Sequence, residues 1–264
     1  MRFKNDEIDD EPDGAMKPTR QELVAVARKI RAARYPSSKL LFLAGSLVRG
    51  EGTITSDLDL VVMYEQLDAA YRESFYHQKW PVEAFVHDPS TLDYFFRSVD
   101  RVNGVPSLPN MVAEGIEIPH PSAFGRRMKS LAESVIAEGP PAWSRRDSDL
   151  SRYMITDHIE DLRAPRSHHE AFATLSILYP ALANHYFRSK GHWSAKGKTI
   201  PRALKSHDAA FAKRFLSAFD MALSSQEMSG VIEVAAEVLK SDGGFLFDGY
   251  TQHAPKEWRV HSAD

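Results

Sequence analysis

The stretch LAGSLVRGEGTITSDLDLVV, residues 43–62, indicates the fold of the N-terminal half of the chain. It starts at the end of an apolar run and passes through a Gly-Ser pair and a loop that contains Gly50 and Gly52. It then closes with an Asp-x-Asp pattern that enters a second apolar run. Short aliphatic runs bounded by Gly, Ser and Thr are typical of strands. The pattern therefore predicts two buried strands joined by a glycine-containing loop.

The sequence around this stretch predicts a small mixed sheet with helices packed against it. Four strands are expected, at residues 39–44, 58–64, 81–87 and 116–118. Thr19 and Glu22 have the spacing of a capping box, which predicts a helix that runs to Arg34. Residues 71–79 are compatible with a helix, and Ser90 is expected to cap another that reaches Val99. The rest of 103–121 is rich in Gly and Pro and is expected to form loops.

Strand patterns end after Gly139-Pro140-Pro141, and helical periodicity replaces them. Helices are expected at 122–138, 146–163, 168–189, 200–221 and 226–240. A mixed α/β region followed by an all-α region gives an α+β chain, with a small mixed-sheet domain and then a helical bundle. The expected divisions are a disordered acidic segment 1–17, a catalytic domain 18–138, a helical domain 139–250 and a tail 251–264.

The composition of the 264-residue chain excludes several classes of protein. No apolar run approaches the roughly 20 residues that a membrane span needs, and the acidic start does not resemble a secretory signal. The absence of cysteine excludes disulfides, thiolate metal sites and cysteine nucleophiles. A cytoplasmic protein is the expectation. The net charge of −3 disfavours a surface built for nucleic acid. A local basic patch at Arg145-Arg146 and Lys196–Lys198 nevertheless leaves RNA as an alternative acceptor.

Three carboxylates are the candidate metal ligands. Asp57 and Asp59 are two residues apart on an expected strand, so their side chains leave the same face and their Cα atoms lie about 6.6 Å apart. Glu83 is the expected third carboxylate, on the face of its strand opposite the apolar residues. Asp88, at the end of that strand, is the alternative. Carboxylate oxygens so placed suit magnesium ions that also bind phosphate oxygens.

The loop before Asp57 carries the candidate nucleotide-binding groups. Glycine lets the backbone approach a ligand closely, and Ser46 adds a hydroxyl at the start of an expected short helix. Gly45, Ser46 and Ser56 are therefore the expected contacts of the phosphates. Arg49 is a candidate for steadying the leaving pyrophosphate.

The order Gly-Ser, a ten-residue spacer and Asp-x-Asp resembles the DNA polymerase β-like nucleotidyltransferase superfamily. The resemblance covers residues 39–88. It implies two magnesium ions, a nucleoside triphosphate (ATP as the expected donor) and transfer of a nucleoside monophosphate with release of pyrophosphate. It also implies that Gly45 and Ser46 hold the triphosphate, and that Asp57, Asp59 and Glu83 bind the metal.

A second resemblance concerns the helical half. Residues 188–198, RSKGHWSAKGK, look like a segment of aminoglycoside nucleotidyltransferases and their bacterial relatives, which share this domain order. It implies that Lys196 or Lys198 reaches the triphosphate and that the acceptor is a small molecule. A solvated, flexible Lys-Gly-Lys loop is the structural alternative.

Two other functions remain open at this point. The nucleotide could be transferred to a protein or an RNA, and steep salt dependence of binding would reveal RNA contacts. Alternatively, the chain could be a non-catalytic nucleotide sensor or a toxin–antitoxin-type partner. Binding of a nucleotide without turnover would favour the sensor. The sequence does not indicate the oligomeric state.

Overall fold

The computed structural model describes residues 18–53 and 55–259. The expected disorder of 1–17 and the end of the expected tail lie outside these residues. The described chain divides into two units. The first runs to Arg101 and resumes at Pro106–Glu138, and the second comprises Val102–Val105 and the residues from Gly139 onward.

The first unit contains a five-stranded mixed sheet in the order β3-β4-β2-β1-β5. Its elements are α1 (Arg20–Arg34), β1 (Leu40–Ala44), α2 (Gly45–Val48), β2 (Leu58–Met63), β3 (Tyr71–His77), β4 (Trp80–His87), α3 (Pro89–Tyr94), a π-helix (Phe95–Asp100), α4 (Arg101–Asn103, which crosses into the second unit), α5 (Ser107–Glu114), β5 (Ile116–Ile118) and α6 (Ala123–Glu138). Strand β2 pairs in parallel with β4, and the other three pairings are antiparallel.

The central strands are buried because helices cover both faces of the sheet. Leu23, Ala27 and Ile30 of α1 join a core with alternate residues of β1, β2 and β4. On the opposite face, Phe42 and Val61 are fully buried, and α5 packs against β1 and β2. Helix α1 begins as the sequence predicts, with Thr19 and Glu22 in a reciprocal capping box. This packing fixes the ends of β1 and β2, where the polar residues of interest lie.

The second unit is helical, with α7 (Arg145–Arg163), α8 (His168–Arg188), α9 (Ile200–His207), α10 (Ala209–Ser225) and α11 (Ser229–Leu239). Short 3-10 helices lie at Gly197–Thr199, Lys240–Asp242 and Lys256–Trp258. Side chains of α8 and α10, among them leucines, phenylalanines and alanines, form the larger part of its core. Within the described part of the chain, no helix combines the length and apolarity that a membrane span requires.

The predicted class, a mixed-sheet region followed by a helical one, is confirmed, but four local expectations were wrong. Residues 71–79 form strand β3 and a two-residue turn, because this edge strand exposes most of one face and lacks a clear apolar stripe. Asp88, not Ser90, caps α3. Part of 103–121 is helix α5, whose Leu108 and Val112 are buried. The helix expected at 200–221 is broken at Asp208, which caps α10 through Phe211 N.

Candidate active site

The site begins where β1 ends, because Gly45 turns the chain in a conformation that other residues rarely adopt. Gly45 has a φ of 83°, and a Cβ on it would lie 1.9 Å from Oδ2 of Asp59. The backbone and the carboxylate can approach this closely only if no side chain intervenes. Helix α2, which starts at Gly45, has four residues, so its dipole adds little to anion binding. The glycine therefore allows close approach of the backbone to Asp59, and the predicted approach to a phosphate stays a prediction.

Three carboxylates converge beside this turn. Asp59 lies on β2 between Ala44 of β1 and Glu83 of β4, which are its partners in the two strand pairings. Asp57 was expected to lie on the same strand, but β2 begins at Leu58, so Asp57 directly precedes it. One ligand oxygen from each of Asp57, Asp59 and Glu83 lies within 4.8 Å of the others. The parallel register of β2 and β4 thus places the expected third carboxylate next to the Asp-x-Asp pair.

The donor set of this cluster fits a hard divalent cation. Magnesium prefers carboxylate and water oxygens, and all three side chains are half-exposed, which leaves room for water or phosphate ligands. Within residues 18–53 and 55–259, this is the one group of three acidic or histidine side chains close enough to share an ion. The arrangement can therefore hold a metal beside a phosphate-bearing ligand.

Arg72 is a contact of the cluster that the sequence did not predict. Its guanidinium donates a hydrogen bond to Oε1 of Glu83 and lies over the ring of Phe85, 4.9 Å from the centroid. Arg72 and Phe85 are directly opposite each other in the pairing of β3 and β4. No pattern in the sequence indicated this contact, because residues 71–79 were interpreted as compatible with a helix rather than as a strand beside β4. Glu83 therefore has a cationic neighbour at the candidate metal site.

Ser56 holds the loop that leads to Asp57. Its hydroxyl oxygen is buried and accepts a hydrogen bond from the backbone N–H of Thr53 at 2.8 Å. The hydroxyl of Ser46 donates to the same oxygen at 3.3 Å. The two serines thus connect the turn after β1 to the entry of β2. Their role in binding phosphate stays a prediction, and Ser46 is the more exposed of the two.

Arg49 has two acidic partners. Its Nε lies 3.0 Å from Glu51 and its Nη1 lies 3.2 Å from Glu114. Both ion pairs are exposed, and such pairs contribute little stability, so the arginine can exchange them for a phosphate at small cost. A contact with pyrophosphate remains a prediction for this side chain.

The structure assigns Asp88 a structural task. Its Oδ1 accepts a hydrogen bond from Thr91 N at 2.8 Å, and its Oδ2 accepts one from Leu67 N at 3.0 Å. These bonds lower the pKa of the carboxyl group against the opposing effect of burial, which is the largest influence on it. Since both oxygens have backbone donors, Glu83 is the better candidate for the third metal ligand.

Lys196 and Lys198 lie in the second unit. Lys196 precedes the 3-10 helix Gly197–Thr199, where its backbone N–H donates to the hydroxyl of Thr199 at 3.3 Å. Both lysine side chains are exposed to solvent. Their predicted contact with the triphosphate remains a prediction.

Comparison with known proteins finds a family that residues 24–94 of the first unit resemble. Among solved structures, the nucleotidyltransferase-like protein from Exiguobacterium sibiricum 255-15 is similar to this chain at 15% identity, with a TM-score of 0.43, over 83% of this chain and 75% of that one. Curated proteins give no significant match. Residues 24–94 match the nucleotidyltransferase domain family, and this match includes the Gly-Ser turn and all three carboxylates. This part of the chain is therefore similar to nucleotidyltransferase domains, which is consistent with the resemblance to the DNA polymerase β-like superfamily.

Proposed function

We propose that the first unit is a nucleotidyltransferase domain that transfers a nucleoside monophosphate from a nucleoside triphosphate, ATP in the first instance, to a hydroxyl group of an acceptor. One observation carries the proposal. Asp57, Asp59 and Glu83 bring three ligand oxygens within 4.8 Å beside a turn at Gly45 that has no side chain. Acidic residues that only solvate one face of a sheet have no reason to converge from two neighbouring strands in this way.

The three carboxylates would hold magnesium. When bound, magnesium neutralises the charge that develops on the transferring phosphoryl group and stabilises the leaving oxygen. The chain's own contribution is to fix the positions of these ligands. Asp59 and Glu83 are held by the register of two paired strands, and Asp57 is held by the Ser56 contacts of the preceding loop. Ligands on rigid elements keep their geometry better than ligands on free loops.

The phosphates would lie along the turn between β1 and α2. Gly45 permits the close approach of the backbone, and the half-exposed hydroxyl of Ser46 can donate a hydrogen bond to a phosphate oxygen. Arg49 follows Ser46 closely in the sequence, so it can give up its ion pair with Glu51 and bind the pyrophosphate instead. Pyrophosphate carries more negative charge than one carboxylate. These residues would orient the triphosphate with its α-phosphorus toward the carboxylates.

The reaction is an in-line displacement at the α-phosphorus. The acceptor oxygen forms a bond to this phosphorus, the bond between the α-phosphorus and the bridging oxygen to the β-phosphate breaks, and pyrophosphate leaves. The hydroxyl proton passes to a base. Glu83 is the candidate base, because it lies on the strand next to Asp59 and a carboxylate accepts a proton readily from a polarised hydroxyl.

A small polyhydroxylated molecule of the aminoglycoside class is the acceptor that we infer. The support is the similarity of residues 188–198 to the corresponding segment of aminoglycoside nucleotidyltransferases. Lys196 and Lys198 are exposed in this segment and can each supply a point charge for phosphate. The acidic net charge of the chain also favours a cationic small molecule over a nucleic acid.

Release of pyrophosphate in the presence of an acceptor panel tests the proposal. The full chain is incubated with each nucleoside triphosphate, magnesium and hydroxylated acceptors, and labelled nucleotide is followed into the acceptor by mass spectrometry. Asp59→Asn is expected to abolish transfer and retain the fold. Glu65→Gln is the matched control, since Glu65 is an exposed carboxylate of the same unit that pairs with Lys39. Transfer at the wild-type rate in Asp59→Asn would refute the assignment.

A further inference from the structure

A cationic side chain lies on the same face of the sheet as the candidate metal ligands. Glu83 is directly opposite Asp59 in the pairing of β4 with β2, and Arg72 of β3 is directly opposite Phe85 of β4. Residues that are opposite each other in paired strands, or two apart on one strand, project from the same face. The side chains of Asp59, Glu83, Phe85 and Arg72 therefore all leave one face of the sheet.

Two contacts of different kinds hold the guanidinium of Arg72 on this face. It donates a hydrogen bond to Oε1 of Glu83, and it lies over the ring of Phe85, 4.9 Å from the centroid. The hydrogen bond depends on the negative charge of the carboxylate, whereas the cation–π contact depends only on the ring. A ligand that engages the carboxylate of Glu83 can therefore weaken the first contact and leave the second in place.

Use of Glu83 as a metal ligand would release Arg72 for another anion. The charge of the carboxylate would then be shared with a divalent cation, which also repels the guanidinium. Within the part of the chain that the structure describes, Glu83 is the one hydrogen-bond partner of this guanidinium, and the Arg72 side chain is 56% exposed. A guanidinium has five N–H donors, so Arg72 can take up a new anionic partner while it remains over Phe85.

We infer that Arg72 exchanges Glu83 for the nucleoside triphosphate and donates a hydrogen bond to a non-bridging oxygen of the α-phosphate. This inference rests on the proposed function, in which the α-phosphorus faces the carboxylates. Arginine suits the task, because its planar fork of donors matches the oxygens of a phosphate group. Its positive charge also offsets the negative charge that the triphosphate brings to this face. Arg72 is thus a nucleotide-binding residue that Glu83 holds in place until the ligands bind.

Two titrations of the full chain separate the two partners of Arg72. The first uses Mn²⁺ alone, and the second uses α,β-methylene ATP, which cannot release pyrophosphate, at saturating Mn²⁺. Arg72→Gln should bind Mn²⁺ alone at least as tightly as the wild type, because a cation that competes for Glu83 is removed. The same variant should bind the analogue about 10–100-fold more weakly, as the loss of a hydrogen bond between charged groups implies. Arg72→Lys keeps the charge and should recover part of the affinity for the analogue.

Arg34→Gln is the matched control for these titrations. Arg34 of α1 also pairs with a glutamate, Glu73, and lies over an aromatic ring, that of Phe75, 4.3 Å from its centroid. Glu73 and Phe75 alternate with Arg72 along β3, so they project from the opposite face of the sheet. The control variant loses the same two kinds of contact and should leave both affinities unchanged. Circular dichroism checks that both variants fold.

Three results would overturn the inference and leave the proposed function intact. They are binding of the analogue by Arg72→Gln at the wild-type affinity, equal losses in Arg72→Gln and Arg34→Gln, and a parallel loss of Mn²⁺ and analogue affinity in Arg72→Gln. The last of these would make Arg72 a residue that only positions Glu83. Failure of the proposed function is a different result, because the wild type itself would then show no binding of the analogue that requires Mn²⁺, and both proposals would fall.

Discussion

A methyl group added at Gly45 should damage the metal site far more than one added at Gly50. Both glycines have left-handed backbones, with φ of 83° and 75°. Alanine in this conformation costs about 1–2 kcal/mol, so backbone strain alone should lower the free energy of unfolding by a similar amount in both variants. The two positions differ in their surroundings. A Cβ at Gly50 meets no atom within 4 Å, whereas a Cβ at Gly45 lies 1.9 Å from Oδ2 of Asp59.

The displacement of Asp59 in Gly45→Ala can be worked out from this distance. Ordinary contact with a Cβ begins at 3.4 Å, so the carboxylate oxygen has to withdraw by about 1.5 Å. Metal ligands tolerate errors of only about 0.2 Å. We therefore expect the affinity for Mn²⁺, used as a spectroscopic substitute for Mg²⁺, to fall roughly 10–100-fold in Gly45→Ala and to remain unchanged in Gly50→Ala.

The assay combines urea unfolding with Mn²⁺ titration followed by electron paramagnetic resonance. Gly50→Ala corrects for backbone strain, so the difference between the variants isolates the contact with Asp59. Equal Mn²⁺ affinities in Gly45→Ala, Gly50→Ala and the wild type would refute the reasoning that the glycine makes room for a metal-binding carboxylate.

Three further predictions concern neighbours of the site. Burial lowers the pKa of His87 to about 4 in the folded chain, whereas a histidine of the unfolded chain has a pKa near 6.5. As the pH falls between these values, the unfolded chain therefore binds more protons than the folded chain. The wild type should therefore lose about 3 kcal/mol more stability than His87→Gln between pH 7.5 and pH 4, and equal losses in urea unfolding would contradict the burial argument. Arg72→Gln removes the cation beside Glu83 and should tighten Mn²⁺ binding up to about fivefold, since an exposed ion pair is worth at most about 1 kcal/mol. Weaker binding would instead show that Arg72 orients Glu83. Asp88→Ala removes a helix cap and should cost about 1–2 kcal/mol in urea unfolding with no change in Mn²⁺ affinity, and a loss of affinity would restore Asp88 as a ligand.

The sequence predicted the centre of the site because its signals are local. A Gly-Ser pair after an apolar strand and an Asp-x-Asp at the start of the next place Gly45 and Asp59 close together through a single strand pairing. Glu83 was predictable from the alternation of its own strand. Its exact alignment with Asp59 depends on the parallel register of β2 and β4, which no local pattern specifies.

The sequence did not predict the surroundings of the site, because these depend on tertiary pairing. Strand β3 lies at the sheet edge and buries few of its side chains, so its apolar residues show no clear periodicity. Because the strand was not predicted, the contact between Arg72 and Glu83 was not predicted either. The sequence left Asp88 as an alternative ligand for a different reason. A carboxylate before Pro89 can cap a helix or bind a metal, and only the positions of Thr91 N and Leu67 N show which task it performs.

The most direct test of the central claim is thermal stabilisation of the full chain by each nucleoside triphosphate, with and without magnesium, for the wild type and Asp59→Asn. A ligand at 100 times its Kd adds about 2.7 kcal/mol to the stability of the native state, which is readily measured. The account predicts a stabilisation that requires magnesium and disappears in Asp59→Asn. A shift that needs no magnesium, or one that Asp59→Asn retains in full, would contradict a metal–nucleotide site at Asp57, Asp59 and Glu83.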